Sequence, residues 1–279
     1  MVGSAPGAVT TESVAVDGVR LEVAWHGEAS TAGPTLVFLH EGLGCAAMWR
    51  DFPRQVAADV GARVLVYSRQ GYGGSDPVSL PRPLTYMHDE GQKVLPKLLE
   101  TLGIDDAVLV GHSDGGSIAL VYAGSEDVHA HARLRGLVLM APHVFCEDVS
   151  VDSIREARVA FEQGDLRAKL ARYHGTNTDG AFWGWNDAWL DPEFRRWSLE
   201  AFLPEVRVPT VVLQGADDRY GTLAQVDAIE RGIGALCKRI VVEGCGHDPA
   251  REAPEATRRA IRELLVRVRP PSRRETTAP

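Results

Sequence analysis

The sequence predicts an α/β protein built on a mostly parallel, eight-stranded, doubly wound sheet. Three observations carry this. Short β-branched runs alternate with longer amphipathic stretches along most of the 279 residues, the pattern of strands joined by crossover helices. The runs are nearly continuous in apolar residues, as strands covered on both faces require. Composition is ordinary globular usage, 44% hydrophobic and 24% charged, which excludes a disordered or fibrous chain.

The first two strands read as a hairpin, 13–16 and 19–25 around the turn pair Asp17-Gly18. Six more strand candidates follow at 35–40, 63–68, 107–111, 137–141, 211–215 and 239–243. Helices are expected near 48–60, 87–102, 115–124 and 223–232. The last helix is the clearest. Ala260, Ile261, Leu264, Leu265 and Val268 share one face before Pro270-Pro271 stops it.

One stretch breaks the rhythm. Residues 149–205 hold no strand candidate, only helical segments joined by Gly- and Asn-containing turns. Ser153-Ile-Arg-Glu156 fits a capping box, and Val151, Ile154, Ala157 and Phe161 give a helical stripe. Four of the six tryptophans, Trp183, Trp185, Trp189 and Trp197, fall here. They serve either to glue a helical layer to the sheet or to line an apolar pocket beneath a lid. Trp183, Trp185 and Trp189 are the candidates for substrate contact. The expected division is a core domain of residues 1–148 and 206–279 with a helical cap at 149–205.

Charge and cysteine usage exclude several classes. Lys and Arg total 30 against 38 Asp and Glu, a net charge of −8, so no basic footprint for nucleic acid exists. Residues 1–11 lack the basic start and apolar core of a secretory signal. No apolar run approaches the roughly 18 residues needed to cross a bilayer, so no membrane partner is expected. Cys45, Cys146, Cys237 and Cys245 form no Cys-x-x-Cys pair and are too sparse for a disulfide scaffold. They read as reduced thiols in a cytoplasmic protein. His129 and His131 make a short His-x-His without further ligands at useful spacing, and the tail from Pro270 reads as a solvated end. No metal and no cofactor are expected. The expected partner is a small-molecule substrate, and the expected assembly a monomer or homodimer.

The chemistry is carried by Gly111-His-Ser-Asp-Gly115, a G-x-S-x-G motif. A buried strand precedes it and Ser117-Ile-Ala-Leu-Val-Tyr122 continues as a helix. A strand–serine–helix turn forces the serine into strained geometry, and the flanking glycines let backbones pass without a Cβ clash. The hydroxyl of Ser113 then sits at a helix N-terminus, where free N–H groups favour a developing oxyanion. Serine needs a base. With the order serine, acid, histidine that accompanies such an elbow, only His247 of the nine histidines follows the last good acid candidates. It lies in Gly244-Cys-Gly-His247, at a strand's C-terminal end. Leu213-Gln-Gly-Ala-Asp-Asp218 leaves another strand with two carboxylates at its tip. Asp218, three after Gly215, is the expected acid, with Asp217 as the alternative.

Taken together, His40-Glu-Gly-Leu-Gly44, Gly71-Tyr-Gly-Gly-Ser-Asp76, the Ser113 elbow, Gly215-Ala-Asp-Asp218 and Gly246-His247 resemble the α/β-hydrolase superfamily. They span most of the chain in that family's order, and the helical insert falls where the family carries its lid, after the sixth strand. The Ser-Asp-Gly-Gly elbow is similar to that of esterases related to valacyclovir hydrolase and biphenyl-hydrolase-like proteins. The resemblance implies Ser113 as nucleophile, Asp218 as acid and His247 as base. It also implies an oxyanion hole from the N–H of Asp114 and one from the loop after the third strand, at Gly42. Glu41 stands where the family has glycine, and Gln70 where it often has arginine. The implied activity is hydrolysis of a small carboxylic ester, lactone or thioester through an acyl-enzyme. C–C cleavage of a β-diketone-like substrate is the alternative chemistry. Epoxide hydrolase and dehalogenase chemistries of the superfamily would need Asp at the elbow.

Two other readings compete. Gly42-Leu-Gly-Cys-Ala-Ala47 also fits a dinucleotide-binding G-x-G-x-x-A, but a hairpin precedes it and the next strand ends Tyr67-Ser68-Arg69 with no acid for a ribose. A non-catalytic small-molecule-binding protein on the same fold would have no need of the base and acid. Finally, a carboxylate of Glu41 or Asp114 facing the pocket would favour a cationic substrate group. The alternative for Asp114 is a first-turn acid complementing the helix dipole.

Overall fold

The computed structural model describes residues 10–28, 33–126 and 132–268. The first nine residues, His129, His131 and the tail from Pro270, for which the sequence raises expectations, lie outside them. The described residues form one eight-stranded sheet in the order β1-β2-β4-β3-β5-β6-β7-β8. Its strands are Thr10–Val16 (β1), Val19–His26 (β2), Thr35–Leu39 (β3), Val64–Tyr67 (β4), Ala107–His112 (β5), Leu134–Met140 (β6), Thr210–Gly215 (β7) and Cys237–Val242 (β8). β1 and β2 pair antiparallel with each other and β2 antiparallel with β4, while every other neighbouring pair is parallel. Asp17 (φ 50°) and Gly18 (φ 81°) take the left-handed turn that closes the hairpin.

Side-chain alternation along each strand feeds two cores. Leu36, Phe38, Val64, Val66, Val108, Val110, Val138, Met140, Val211 and Leu213 face one side. There they meet α1 (Phe52–Val60) and the C-terminal helix Pro254–Val268. Val37, Leu39, Leu65, Leu109, Leu137, Leu139 and Val212 face the other, against the helices Leu95–Thr101, Asp114–Ala123 and Leu223–Ile233. Period two in the strands thus builds both layers of a doubly wound sheet.

Helix interiors differ from the sequence expectation where backbone chemistry intervenes. The helix expected at 48–60 is split: a 3-10 turn at Ala46–Trp49 ends at Arg50 with φ 52°, and α1 starts at Phe52. The helix expected at 87–102 carries a π-helical turn at Glu90–Val94. Pro96 has no N–H to give back to the preceding turn, and Gly91 packs so closely on Ile118 and Val121 that a Cβ would collide. β6 starts three residues earlier than expected, at Leu134.

Between β6 and β7 the chain makes helices Asp148–Gln163, Leu166–His174 and Thr178–Leu190 and short 3-10 turns, with one isolated bridge, Phe145 to Ser198. Val151, Ile154, Ala157 and Phe161 are buried, as their spacing predicts. The capping box is not formed. Ser153 lies inside the first of these helices, which begins at Asp148, and its hydroxyl donates to the carbonyl of Arg219 (2.6 Å). Two buried polar groups tie the insert to the sheet loops. His174 donates from Nε2 to Leu43 O (2.9 Å) and accepts at Nδ1 from Gly73 N–H (3.0 Å). Asn177 donates to the carbonyls of Gly73 (3.1 Å) and Ser75 (2.7 Å). Among the described residues no helix is long and apolar enough to cross a membrane, and the four cysteines are free.

Candidate active site

In open α/β sheets the useful crevice lies beyond the carboxyl ends of the strands, where the winding direction reverses. Here the chain passes from β4 back over β3 to β5, so the reversal falls between the loop after β3 and the elbow after β5. Ser113 occupies that elbow with φ 53° and ψ −120°, between β5 and the helix Asp114–Ala123. This backbone is strained for any residue with a Cβ, and its surroundings explain why the flanks are glycine. A Cβ on Gly111 would collide with the carbonyl of Gly115, and one on Gly115 with the carbonyl of Leu39. The Ser113 N–H is held by Met140 O (2.8 Å).

His247 Nε2 lies 2.9 Å from Ser113 Oγ. Its Nδ1 lies 2.8 and 2.9 Å from the two carboxylate oxygens of Asp218. Those partners set the tautomer: Nδ1–H donates to the acid, leaving Nε2 to accept from the serine. The loop carrying His247 crosses tightly over β7, and a Cβ on Gly215 would strike the carbonyls of Cys245 and Gly246. Asp218 also accepts from Tyr220 N–H (2.8 Å) and Gln214 Nε2 (2.7 Å). Burial works to raise its pKa, but the hydrogen bond and charge of His247, with the Tyr220 amide, hold it below the ordinary value. The geometry separates the two acids. Asp217 is exposed, and its amide donates to Cys245 O (2.9 Å).

These side chains open on a cavity of about 170 Å³ lined by Glu41, Gly42, Leu43, Ser113, Asp114, His143, Ser150, Ile154, Trp185, Trp189, Tyr220 and His247. Gly42 and Asp114 border it, and their N–H groups have no acceptor among the described residues. Trp185 covers Gly42 so closely that a Cβ there would overlap its indole. Trp189 donates from Nε1 to Tyr86 Oη (3.0 Å). Trp183 is a correction: it does not line the cavity but packs edge-on against Phe161 and Phe182, with the Arg158 guanidinium over its ring. On one helix, Trp185 and Trp189 are four residues apart and share a face, whereas Trp183 is about 200° from Trp185.

Each carboxylate near the site has a partner within the protein. Asp114 turns its side chain away from solvent, accepting from Tyr86 Oη (2.5 Å) and lying 3.9 Å from Arg69. Burial raises its pKa, and Arg69 and Tyr86 partly offset that. One oxygen, Oδ2, is thus committed to Tyr86 and Arg69, while Oδ1 is buried without a hydrogen-bond partner. Glu41 does reach the cavity wall, but its carboxylate lies 3.7 Å from His112 Nδ1. Burial alone would depress the His112 pKa. Glu41, Asp248 and the His247 carbonyl, which accepts from His112 Nε2 (2.6 Å), push it up to about 9. The same pair holds Glu41 below its ordinary value against its own burial. The Gly44 face is filled by the Glu41 carboxylate, an arrangement that repels a pyrophosphate and disfavours dinucleotide binding.

Sequence reasoning missed Leu43, His143, Ser150, Ile154 and Tyr220 as lining residues. Ile154 stood in the recognised stripe, but its phase relative to the site is a tertiary fact. His143 carries no motif. Its burial and the charge of His247 push its pKa down to about 3, so it is a neutral imidazole in the cavity wall. Among the described residues no group of three His, Cys, Asp or Glu could hold a metal.

A family model described as the alpha/beta hydrolase family matches residues 36–260. The chain is 27% identical over 248 residues to the 2-hydroxy-6-oxo-6-phenylhexa-2,4-dienoate hydrolase of Comamonas testosteroni, covering 80% of this chain and 84% of that one. Among solved structures, a membrane phospholipase A superposes with a TM-score of 0.76 at 21% identity, covering 94% of this chain and 87% of the other. The enol-lactonase of Burkholderia xenovorans LB400 does so with 0.71 at 20%, covering 91% and 100%. At such identities these two report on the fold.

Proposed function

The chain belongs to the alpha/beta hydrolase family, and on that footing we propose that it is a serine hydrolase that cleaves a small carboxylic ester, lactone or thioester through an acyl-enzyme. One observation carries the reading: the hydrogen-bonded row from Asp218 through His247 to Ser113, at 2.8 and 2.9 Å, on a cavity wall. The assigned roles follow from it. His247 Nε2 takes the Ser113 proton as Oγ bonds to the substrate carbonyl carbon, and Asp218 stabilises the resulting imidazolium. The N–H groups of Gly42 and Asp114 stabilise the tetrahedral oxyanion, each donor contributing about 3–4 kcal/mol to the transition state. Collapse breaks the bond to the leaving oxygen or sulfur, which takes the proton from His247. Water, deprotonated by the same imidazole, then attacks the acyl-enzyme and releases the acid and free Ser113. The insert acts as the lid, with Trp185 and Trp189 closing the acyl pocket.

The relative from Comamonas testosteroni favours a second reading. Its named substrate carries a carboxylate, an enol and a ketone but no ester, so hydrolysing it breaks a C–C bond. The cavity lining weighs against that substrate class here. It includes no Lys or Arg among the described residues and presents Glu41, leaving a substrate carboxylate without a cationic partner in a partly dry site. A panel of short-chain p-nitrophenyl esters, γ-lactones, acyl thioesters and a 6-oxo-dienoate, run on wild type and Ser113→Ala, tests both readings. Ester, lactone or thioester turnover that falls about 10⁴-fold or more in Ser113→Ala is expected. Turnover surviving that substitution, or of the dienoate alone, would overturn the ester reading.

A further inference from the structure

Arg69 is almost fully buried, at 2% exposure, directly behind the loop that follows β3. Its Nη1 donates to His40 O (2.8 Å) and its Nη2 to Glu41 O (3.0 Å). The Asp114 carboxylate is farther, 3.9 Å from Nη2, and its nearer partner is Tyr86. The guanidinium's short contacts are therefore two successive backbone carbonyls. His40 supports the same point. Its Nδ1–H donates to Glu41 O (2.7 Å), while its Nε2 accepts the Arg69 N–H (3.1 Å). The Glu41 carbonyl thus accepts two donors, one of them cationic.

That carbonyl and the Gly42 N–H belong to one peptide unit. Among the described residues the only cis bond is Leu80-Pro81, so this unit is trans, with C=O and N–H pointing in opposite directions. Fixing the carbonyl toward Arg69 fixes the N–H away from it, and Gly42 borders the cavity. Hydrogen bonds to the carbonyl oxygen also polarise the unit and make its N–H a stronger donor. A buried arginine is costly to desolvate, and an apolar residue of similar volume commonly packs as well. Its placement against this peptide gives the charge a use in catalysis.

We propose that Arg69 is a positioning residue that aims and polarises the Glu41–Gly42 peptide so that the Gly42 N–H can stabilise an oxyanion. This rests on the serine-hydrolase reading and names a residue beyond it. Arg69 never meets substrate. It acts through one peptide plane, helped by His40, and its contribution appears only when negative charge develops on the substrate oxygen.

The test compares wild type, Arg69→Lys and His40→Phe. Lysine keeps the charge but loses the two-pronged contact, and His40→Phe removes the second donor without deleting a buried charge, so one variant remains informative if the other does not fold. Melting curves establish folding. The readouts are kcat and KM for a short ester and Ki for an aliphatic trifluoromethyl ketone, which forms a tetrahedral adduct with a reactive serine. We expect kcat to fall about 10- to 100-fold in Arg69→Lys, part of the loss seen when an oxyanion donor is removed. KM should stay within about threefold, and Ki should rise in proportion to the loss in kcat/KM. A folded variant with Ki unchanged, a change in KM alone, or no change at all would overturn the inference. Wild type that neither turns over esters nor binds the ketone would instead sink the serine-hydrolase reading.

Discussion

The imidazole of His112, the residue before Ser113 in the elbow, joins two parts of the site that are far apart in sequence. It reaches the carbonyl of His247, 135 positions away, and the carboxylate of Glu41. Its pKa is raised to about 9 from an ordinary 6.5 by Glu41, Asp248 and the His247 carbonyl, against the opposing effect of its burial. The folded state therefore holds this proton more tightly than the unfolded chain. The contribution of the His112 proton to stability is fully present just below about pH 6.5, where Glu41 is ionised, and is lost as pH rises through about 9. Its neighbours are Glu41, Asp248, the His247 ring at 5.3 Å, the Trp49 ring at 6.2 Å and, more weakly, the neutral His143. Urea unfolding at pH 6, 7.5 and 9.5 should show His112→Gln less stable than wild type by at most about 3 kcal/mol at pH 6, with the gap shrinking toward pH 9.5. A constant gap would contradict the charged pair. At this scale Ser113 and His247 were legible because glycines punctuate the tips of buried strands. Spacing from Gly215 favoured Asp218 but left Asp217 open, since both stand at one tip and only the fold shows which faces the imidazole. Arg69, Tyr86 and His112 escaped for the same reason: their partners lie 28 to 135 residues away.

At the scale of elements, the expected strands all formed, because near-continuous apolar runs have few other ways to be buried from both sides. Boundaries shifted where backbone chemistry overrode periodicity, at Arg50 and around Pro96. The insert was legible as helical, but its orientation was not. A tryptophan-rich helix presents several faces, and sequence does not state which one turns to the cavity. The outcome separates Trp185 and Trp189, which line the cavity, from Trp183, which packs on Phe161 and Phe182. This difference is measurable. Trp185→Ala removes a large side chain from a cavity of about 170 Å³ and should shift kcat/KM toward longer acyl chains, by roughly tenfold between butyrate and octanoate esters. Trp183→Ala should leave the chain-length profile unchanged. Equal profiles for both variants, or a shift only in Trp183→Ala, would contradict the assigned faces.

At the scale of the whole molecule, the sheet order explains why residues so distant in sequence form one site. β3, β5 and β7 deliver the Gly42 loop, Ser113 and Asp218 at the same carboxyl rim, and the loop after β8 brings His247 across Gly215. In the proposed mechanism none of these groups is reactive alone: the serine needs the imidazole, and the imidazole needs the carboxylate for its tautomer. Covalent labelling reads this convergence directly. Wild type, Ser113→Ala and His247→Ala are treated with a fluorophosphonate at neutral pH and analysed by intact mass and peptide mapping. One adduct per chain on Ser113 is expected in wild type, none in Ser113→Ala, and labelling slowed at least about 10³-fold in His247→Ala. An unlabelled wild type, an adduct on another residue, or undiminished labelling without His247 would contradict this convergence.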